Sequence, residues 1–287
     1  MPYHPILPGL CAFAIACVLW GPAGQAQAAP QQGNETLWAV SVHHELLQIK
    51  ADTPDSIVQR VRLQGLSQGE QIVGIDYRVS RGVLYALSST GQLYTVNTDS
   101  GQLTPVGSPQ REPALQGELF GFDFNPAADR IRVVGASTQN LRLHPETGKL
   151  AAHDPDLRYA STDTHRDKQP AVIAAAYTYN AHNEKLTTNY ALDRAQGTLV
   201  MQGTHENTTP AVSPNEGVLF TVGSLGLGQF SSAAFDIADA SNRALAALVT
   251  TTSTVTQLYD IDLATGRATL LGTLGSGTPI AGLAIEP

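Results

Sequence analysis

Two landmarks recur along this chain at intervals of roughly fifty residues, and no other feature restricts its fold as tightly. The first is an apolar strand that delivers a polar residue into a turn: LLQIK ending at Lys50, LYTVN at Asn97, LRLH at His144, NYALD at Asp193 and LYDID at Asp262. In four of these five, glycine follows four residues later, at Gly101, Gly148, Gly197 and Gly266. Successive copies are 47, 47, 49 and 69 residues apart. The second landmark is a small-apolar-x-apolar strand: Gly74-Ile-Asp-Tyr77, Gly121-Phe-Asp-Phe124, Ala174-Ala-Ala-Tyr177, Ala234-Phe-Asp-Ile237 and Gly282-Leu-Ala-Ile285. Both ladders have five rungs.

The stretch Gly121–Gly148 shows what each unit contains. GFDF and RIRVV alternate large apolar residues with polar or small ones, the period of a half-buried strand. Asn125-Pro126 is a turn signal, because proline biases its predecessor away from helix. His144-Pro-Glu-Thr-Gly148 suits a short hairpin loop ending on a left-handed glycine. In the preceding unit the expected strands are Gly74–Val79, Val83–Ser88, Gln92–Thr98 and Gln102–Val106. A repeat of this length made of four short strands is the pattern of a propeller blade. The last landmark, IAGLAIEP, has no strands after it, while LWAV, LLQIK and VQRVRL near the start have none before. An all-β, five-bladed β-propeller follows, in which the C-terminal strand supplies the innermost position of a blade whose other three strands are N-terminal. Such a closure removes an exposed sheet edge. Six blades is the competing count, since VLFTVG (Val218–Gly223) within the long fourth interval reads as a strand. Helix is nearly absent, and LAALV (Leu245–Val249) is too short to assign.

The chain of 287 residues suits one large domain at 36–287, preceded by a leader at 1–28 and a short linker at 29–35. Leu10–Trp20 is an apolar run too short to span a bilayer, and Ala26-Gln27-Ala28 offers a small-x-small cleavage site. The first nine residues lack the usual Lys or Arg, a departure from an ordinary signal peptide. Both cysteines, Cys11 and Cys17, fall in the leader, so a product cleaved after Ala28 has neither disulfides nor a cysteine nucleophile. The expected product is soluble and periplasmic or secreted, with no later membrane span. Formal net charge is -8 and the basic residues are scattered, which argues against a nucleic-acid partner.

GFDFNP-x-x-DRIRVV with QNLRL-x-P-x-TG, LYALSSTGQLYTVN and LYDIDLATG resemble a bacterial domain-of-unknown-function family numbered 4394. The likeness runs from about Leu37 to Ile285, and the GFDFNP…QNLRL block is its most specific part. The segment His153–Lys168 departs from it by being longer and more polar. The resemblance implies a propeller-like fold and export. It implies no activity, cofactor or partner.

Candidate chemistry centres on Asp76, Asp123 and Asp236, which hold one position in three copies of the innermost strand, with Ala176 and Ala284 in the other two. Strands of that kind line a central channel, so the carboxylates are expected near the axis. The plainer expectation is that each bonds backbone amides of a neighbouring blade, since a buried polar residue needs a partner. The functional alternative is an axial ligand or metal site, Ca²⁺ being the cation that suits carboxylates. Asp129, Arg130, Arg132 and Arg142 are expected to form Arg–Asp pairs between blades rather than an anion site. His153-Asp154-Pro-Asp156 and Asp163-Thr-His165-Arg-Asp167 match no ligand spacing and read as a solvated loop. His44-Glu45-Leu-Leu-Gln48 misses the zinc-protease motif at its fifth residue. Asp123-x-Asn125-x-x-x-Asp129 begins like a calcium loop but lacks the closing Glu. No GxSxG nucleophile elbow occurs.

The function these observations favour is a non-catalytic binding or scaffold module of the cell envelope, recognising a small molecule, glycan or protein on one face of the ring. A carboxylate-based glycoside hydrolase using the three aspartates is the alternative, because paired carboxyls are the minimum that chemistry requires. A structural repeat in a larger envelope assembly is a third.

Overall fold

The computed structural model describes residues 1–3, 34–109 and 112–287; the proposed leader therefore lies almost wholly outside the described residues. Residues 34 onward belong to a single unit built of five sheets. Blade one holds β1 (Thr36–Ser41), β2 (Glu45–Lys50) and β3 (Ile57–Arg62). Blade two is β4 (Ile72–Arg78), β5 (Val83–Ser88), β6 (Leu93–Val96) and β7 (Leu103–Val106). Blade three is β8 (Phe120–Asn125), β9 (Arg130–Gly135), β10 (Asn140–Leu143) and β11 (Leu150–His153). Blade four follows β12 (Arg158–Tyr159) with β13 (Val172–Tyr177), β14 (Asn189–Asp193), β15 (Thr198–Gln202) and β16 (Val218–Ser224). Blade five is β17 (Phe230–Ile237), β18 (Ala244–Thr250), β19 (Gln257–Ile261) and β20 (Ala268–Thr273), and β21 (Ile280–Ile285) is the last strand.

β21 pairs antiparallel with β1, Leu37 opposite Ile285 and Ala39 opposite Leu283, so blade one runs β21-β1-β2-β3. The innermost strands touch in the order β4, β8, β13, β17, β21 and back to β4. The ring is closed, and it has five blades. VLFTVG is β16, the fourth strand of blade four, and the long interval comes from the 203–217 loop before it. The segment expected to be a solvated loop instead contributes β12, which pairs in parallel with β16 and covers the outer edge of blade four. LAALV lies inside β18.

Five apolar clusters occupy the five gaps between blades. Trp38, Leu46, Ile75 and Tyr94 fill the gap between blades one and two, and Leu87, Phe122, Ile131 and Leu141 the next. Val134, Leu157, Val172 and Leu219 join blades three and four, Ile173, Leu192, Phe235 and Leu248 join four and five, and Leu37, Ile49, Leu245 and Leu283 complete the circle. Burial on both faces explains why the inner strands are largely apolar around their aspartates.

Both landmarks have physical causes. Gly101, Gly148, Gly197 and Gly266 all have positive φ, and each donates its N–H to the carbonyl of Asn97, His144, Asp193 or Asp262 four residues back. Side chains of the same polar residues accept amides within the turn, as at Asn97 Oδ1 from Ser100 N–H at 2.9 Å. The small residue of the second landmark marks the closest approach of inner strands. A Cβ on Gly121 would lie 2.6 Å from the backbone nitrogen of Ala175 in the next blade. Gly121→Val is therefore expected to destabilise the protein by more than about 3 kcal/mol, because the obstacle is backbone that cannot step aside. A urea midpoint equal to that of the unsubstituted protein would contradict this account.

Candidate functional site

Asp76, Asp123 and Asp236 converge at the hub. They come from β4, β8 and β17, all are buried, and one carboxylate oxygen from each lies within 4.8 Å of the others. Alternation along an extended strand sends this position towards the axis in every blade.

Inner-strand amides explain why three carboxylates serve five blades. The residue after the landmark position is Tyr77, Phe124, Tyr177, Ile237 or Ile285, and each offers an N–H to the hub. Asp76 Oδ2 accepts from Phe124 of blade three at 2.6 Å, and its Oδ1 from Tyr77 at 2.7 Å. Asp236 Oδ2 accepts from Ile285 of blade one at 2.6 Å, and its Oδ1 from Ile237 at 2.6 Å. Asp123 Oδ1 accepts from Tyr177 of blade four at 3.0 Å. All five N–H groups are satisfied, and three of the bonds cross between blades. The structural expectation for these aspartates therefore holds, and it also accounts for Ala176 and Ala284. One oxygen is left over. Asp123 Oδ2 accepts no hydrogen bond among the described residues.

The cup opens into a cavity of about 440 Å³, which Asp239, Glu184, Tyr77, Tyr177 and Tyr179 also line. Beneath it the channel between the inner strands narrows to about 10 Å³, room for roughly one water. Burial and the Asp236 charge hold the Asp76 carboxyl well above the usual aspartate range. Burial, then Asp76 and Asp236, do the same to Asp123. Burial raises Asp236 to about 7 against the opposing Ile285 N–H, and raises Asp239 to about 6. Carboxyls crowded and buried in this way hold their protons above the usual aspartate range.

The charged residues predicted around blade three pair differently from the expectation. Asp129 is taken by Arg78 of blade two, whose Nε and Nη2 donate to its two oxygens at 2.8 and 2.6 Å, while Nη1 reaches Glu146 at 2.6 Å. Arg132 and Arg142 share Asp154, with Nη1 of Arg132 and Nε of Arg142 donating to Oδ2 at 2.7 and 2.8 Å. Arg132 also crosses to blade four, donating to Tyr177 Oη at 3.1 Å and Asn215 Oδ1 at 2.6 Å. Inter-blade pairing is present, but through Arg78. Asp154 and Asp163 are buried rather than solvated: Asp154 is a counter-ion, and Asp163 accepts the Thr221 N–H at 2.6 Å. The would-be calcium loop is a turn, in which Asn125 Oδ1 accepts from Ala128 N–H. Arg78, Asp239 and Glu184 escaped the sequence reading because they stand outside both ladders.

A family model described as a domain of unknown function, DUF4394, matches residues 45–284. The chain belongs to this family. The DUF4394 match reaches all five blades and includes the three aspartates. No curated protein matches the chain. Among solved structures, Kuenenia stuttgartiensis hydrazine synthase is similar at 12% identity and a TM-score of 0.40, covering 73% of this chain and 53% of that one. The DUF4394 chain thus spans about half the length of that structure, and a likeness so distant says nothing of its chemistry.

Proposed function

We propose that this protein is an exported, non-catalytic binding module whose axial cup holds a divalent cation, Ca²⁺ by preference. The observation that carries the reading is the convergence of three carboxylate oxygens within 4.8 Å, one of the carboxylates keeping an unbonded oxygen, beneath an open cavity. Three oxygens no more than 4.8 Å apart lie no more than about 2.8 Å from their common centre, close to the 2.3–2.6 Å of calcium–oxygen bonds. Magnesium, with oxygens at about 2.0–2.1 Å, demands a tighter cluster. Asp76, Asp123 and Asp236 would be the protein ligands, and the cavity above leaves room for water or a small oxygen-rich molecule on the ion. The apolar leader and the lack of cysteine beyond it support the exported setting.

Hydrolysis is the weaker reading of the same residues. A glycosidase needs one carboxyl free to meet the leaving oxygen and a second poised at the sugar ring. Here, five of the six carboxylate oxygens are tied to backbone amides. Calorimetric titration of chelator-treated protein with Ca²⁺ tests the proposal. One saturable site per chain is expected, with binding lost in Asp123→Asn. A folded protein that shows no saturable heat with Ca²⁺, or an Asp123→Asn variant that binds as well, would end it.

A further inference from the structure

A second cavity, of about 410 Å³, lies between blades three and four and shares Asn125 and Tyr177 with the one over the cup. Its character is opposite. Arg130, Arg132, Arg142 and Lys185 line it against a single carboxylate, Glu206, in a chain whose formal net charge is -8. The 203–217 loop of blade four walls one side, through Thr204, Val212 and Asn215. Asp154 neutralises only one of the two guanidiniums it bridges. Arg130 donates only to the Asp129 carbonyl oxygen, at 2.8 Å, and the Lys185 ammonium has no partner among the described residues. The four bonds that Arg132 makes to Tyr177, Asn140, Asp154 and Asn215 leave one Nη2 N–H over.

Unpartnered polar atoms lie beside this cavity and behind its lining. Tyr177, Asn189 and Gln202 are cross-strand partners, so they form a row on one face of blade four, the face turned to Arg132 and Asn140. Asn189 is 1% exposed, yet neither its amide oxygen nor its nitrogen has a partner among the described residues. Gln202 Oε1 in the same row and Glu206 Oε2 in the cavity lining are also buried and unpartnered. Buried polar atoms are nearly always bonded; Asn189 and Gln202 stand behind the lining, where ordered water suits them, and Glu206 Oε2 is the bare acceptor that the cavity itself presents.

We infer that this cavity is a binding site for a small hydroxylated oxyanion, the carboxylate of a sugar acid or the phosphate of a sugar phosphate. The anionic group accepts from Arg130, Lys185 and the spare N–H of Arg132, as charge-assisted bonds favour. A hydroxyl of the same ligand donates to the unpartnered Oε2 of Glu206, which lines the cavity. The site stands apart from the axial cation and does not depend on it.

Calorimetry on the full chain in excess chelator, with glucuronate, glucose 1-phosphate and glucose as probes, tests the inference. At least one of the two anions is expected to bind saturably while neutral glucose does not, and which anion binds names the source of the charge. The surface pair Arg130→Gln with Lys185→Gln should keep the fold by circular dichroism and weaken binding roughly a hundredfold, about tenfold for each cation removed. No saturable binding of either anion by folded protein up to about 10 mM, affinity for glucose equal to that for the anions, or unchanged affinity in the double variant would each overturn it. Because the chelator keeps the axial cup free of metal, a failure here leaves the cation proposal standing, and the reverse holds too.

Discussion

Adding about 10 mM Ca²⁺ at pH 8 is expected to raise the melting temperature by roughly 5–10 °C, and to do almost nothing at pH 4. A site with Kd of about 0.1 mM, at the tight end for extracellular calcium modules, gains about 2.7 kcal/mol from a hundredfold excess of ligand. For a domain of this size, each kcal/mol moves the midpoint by about 2–4 °C. The pH dependence comes from the cup itself. Burial first, then neighbouring carboxylates (Asp236 on Asp76, Asp76 and Asp236 on Asp123, Asp239 on Asp236), raise the folded-state pKa of all three above that of an unfolded aspartate, so without metal the folded protein holds its protons more tightly. The contribution of this cluster to stability is then fullest below pH about 4 and is lost as pH rises through about 7, where Asp236 titrates. On the proposed reading a cation would replace the missing protons above that range, so it should help at pH 8 and have nothing to replace at pH 4. Thermal scans of the chelated and calcium-loaded protein across this range decide the matter. A calcium effect of equal size at both ends would show that the ion acts elsewhere, and Asp123→Asn should abolish most of the shift.

Removal of residues 280–287 is expected to have the larger effect still: loss of cooperative unfolding and association into large particles. β21 contributes Ile280, Leu283 and Ile285 to one inter-blade cluster and Ala284 to another. Its loss also leaves β1 as a bare edge beside the hub and takes away the Ile285 N–H that Asp236 Oδ2 accepts. A buried carboxylate without its donor and an open apolar edge are both costly, and the edge invites pairing with other chains. Size-exclusion chromatography with a denaturant titration tests this. A monomeric truncated chain with a sharp transition would mean that the other four blades hold together without closure.

How much of this the sequence announced differs from one level to the next. The ring and its closure were legible because the two ladders are imposed by geometry: turn glycines must take positive φ, and inner strands must carry a small residue where neighbouring backbones meet. The same regularity pointed to Asp76, Asp123 and Asp236. It could not show Asp239 or Glu184, which reach the cavity from turns that no periodicity governs. Asp154 was misjudged for a related reason. Its neighbours His153, Pro155 and Asp156 are exposed, so the local pattern reads as loop, and only the folded blade brings Arg132 and Arg142 onto it. VLFTVG showed the opposite ambiguity, because a strand displaced by the 203–217 loop looks the same whether it ends one blade or begins another.

Five near-copies of one wedge have produced a hub without fivefold symmetry. Asp76 and Asp236 each spend both oxygens on backbone, while Asp123 spends one, so the open valence belongs to the aspartate of blade three. Equivalent positions in different blades are therefore not interchangeable. A carboxylate introduced at Ala176 or Ala284 would find no donor left to greet it, and would add only repulsion to a spot already short of counter-charge. The hub is thus a lopsided surface, one whose left differs from its right.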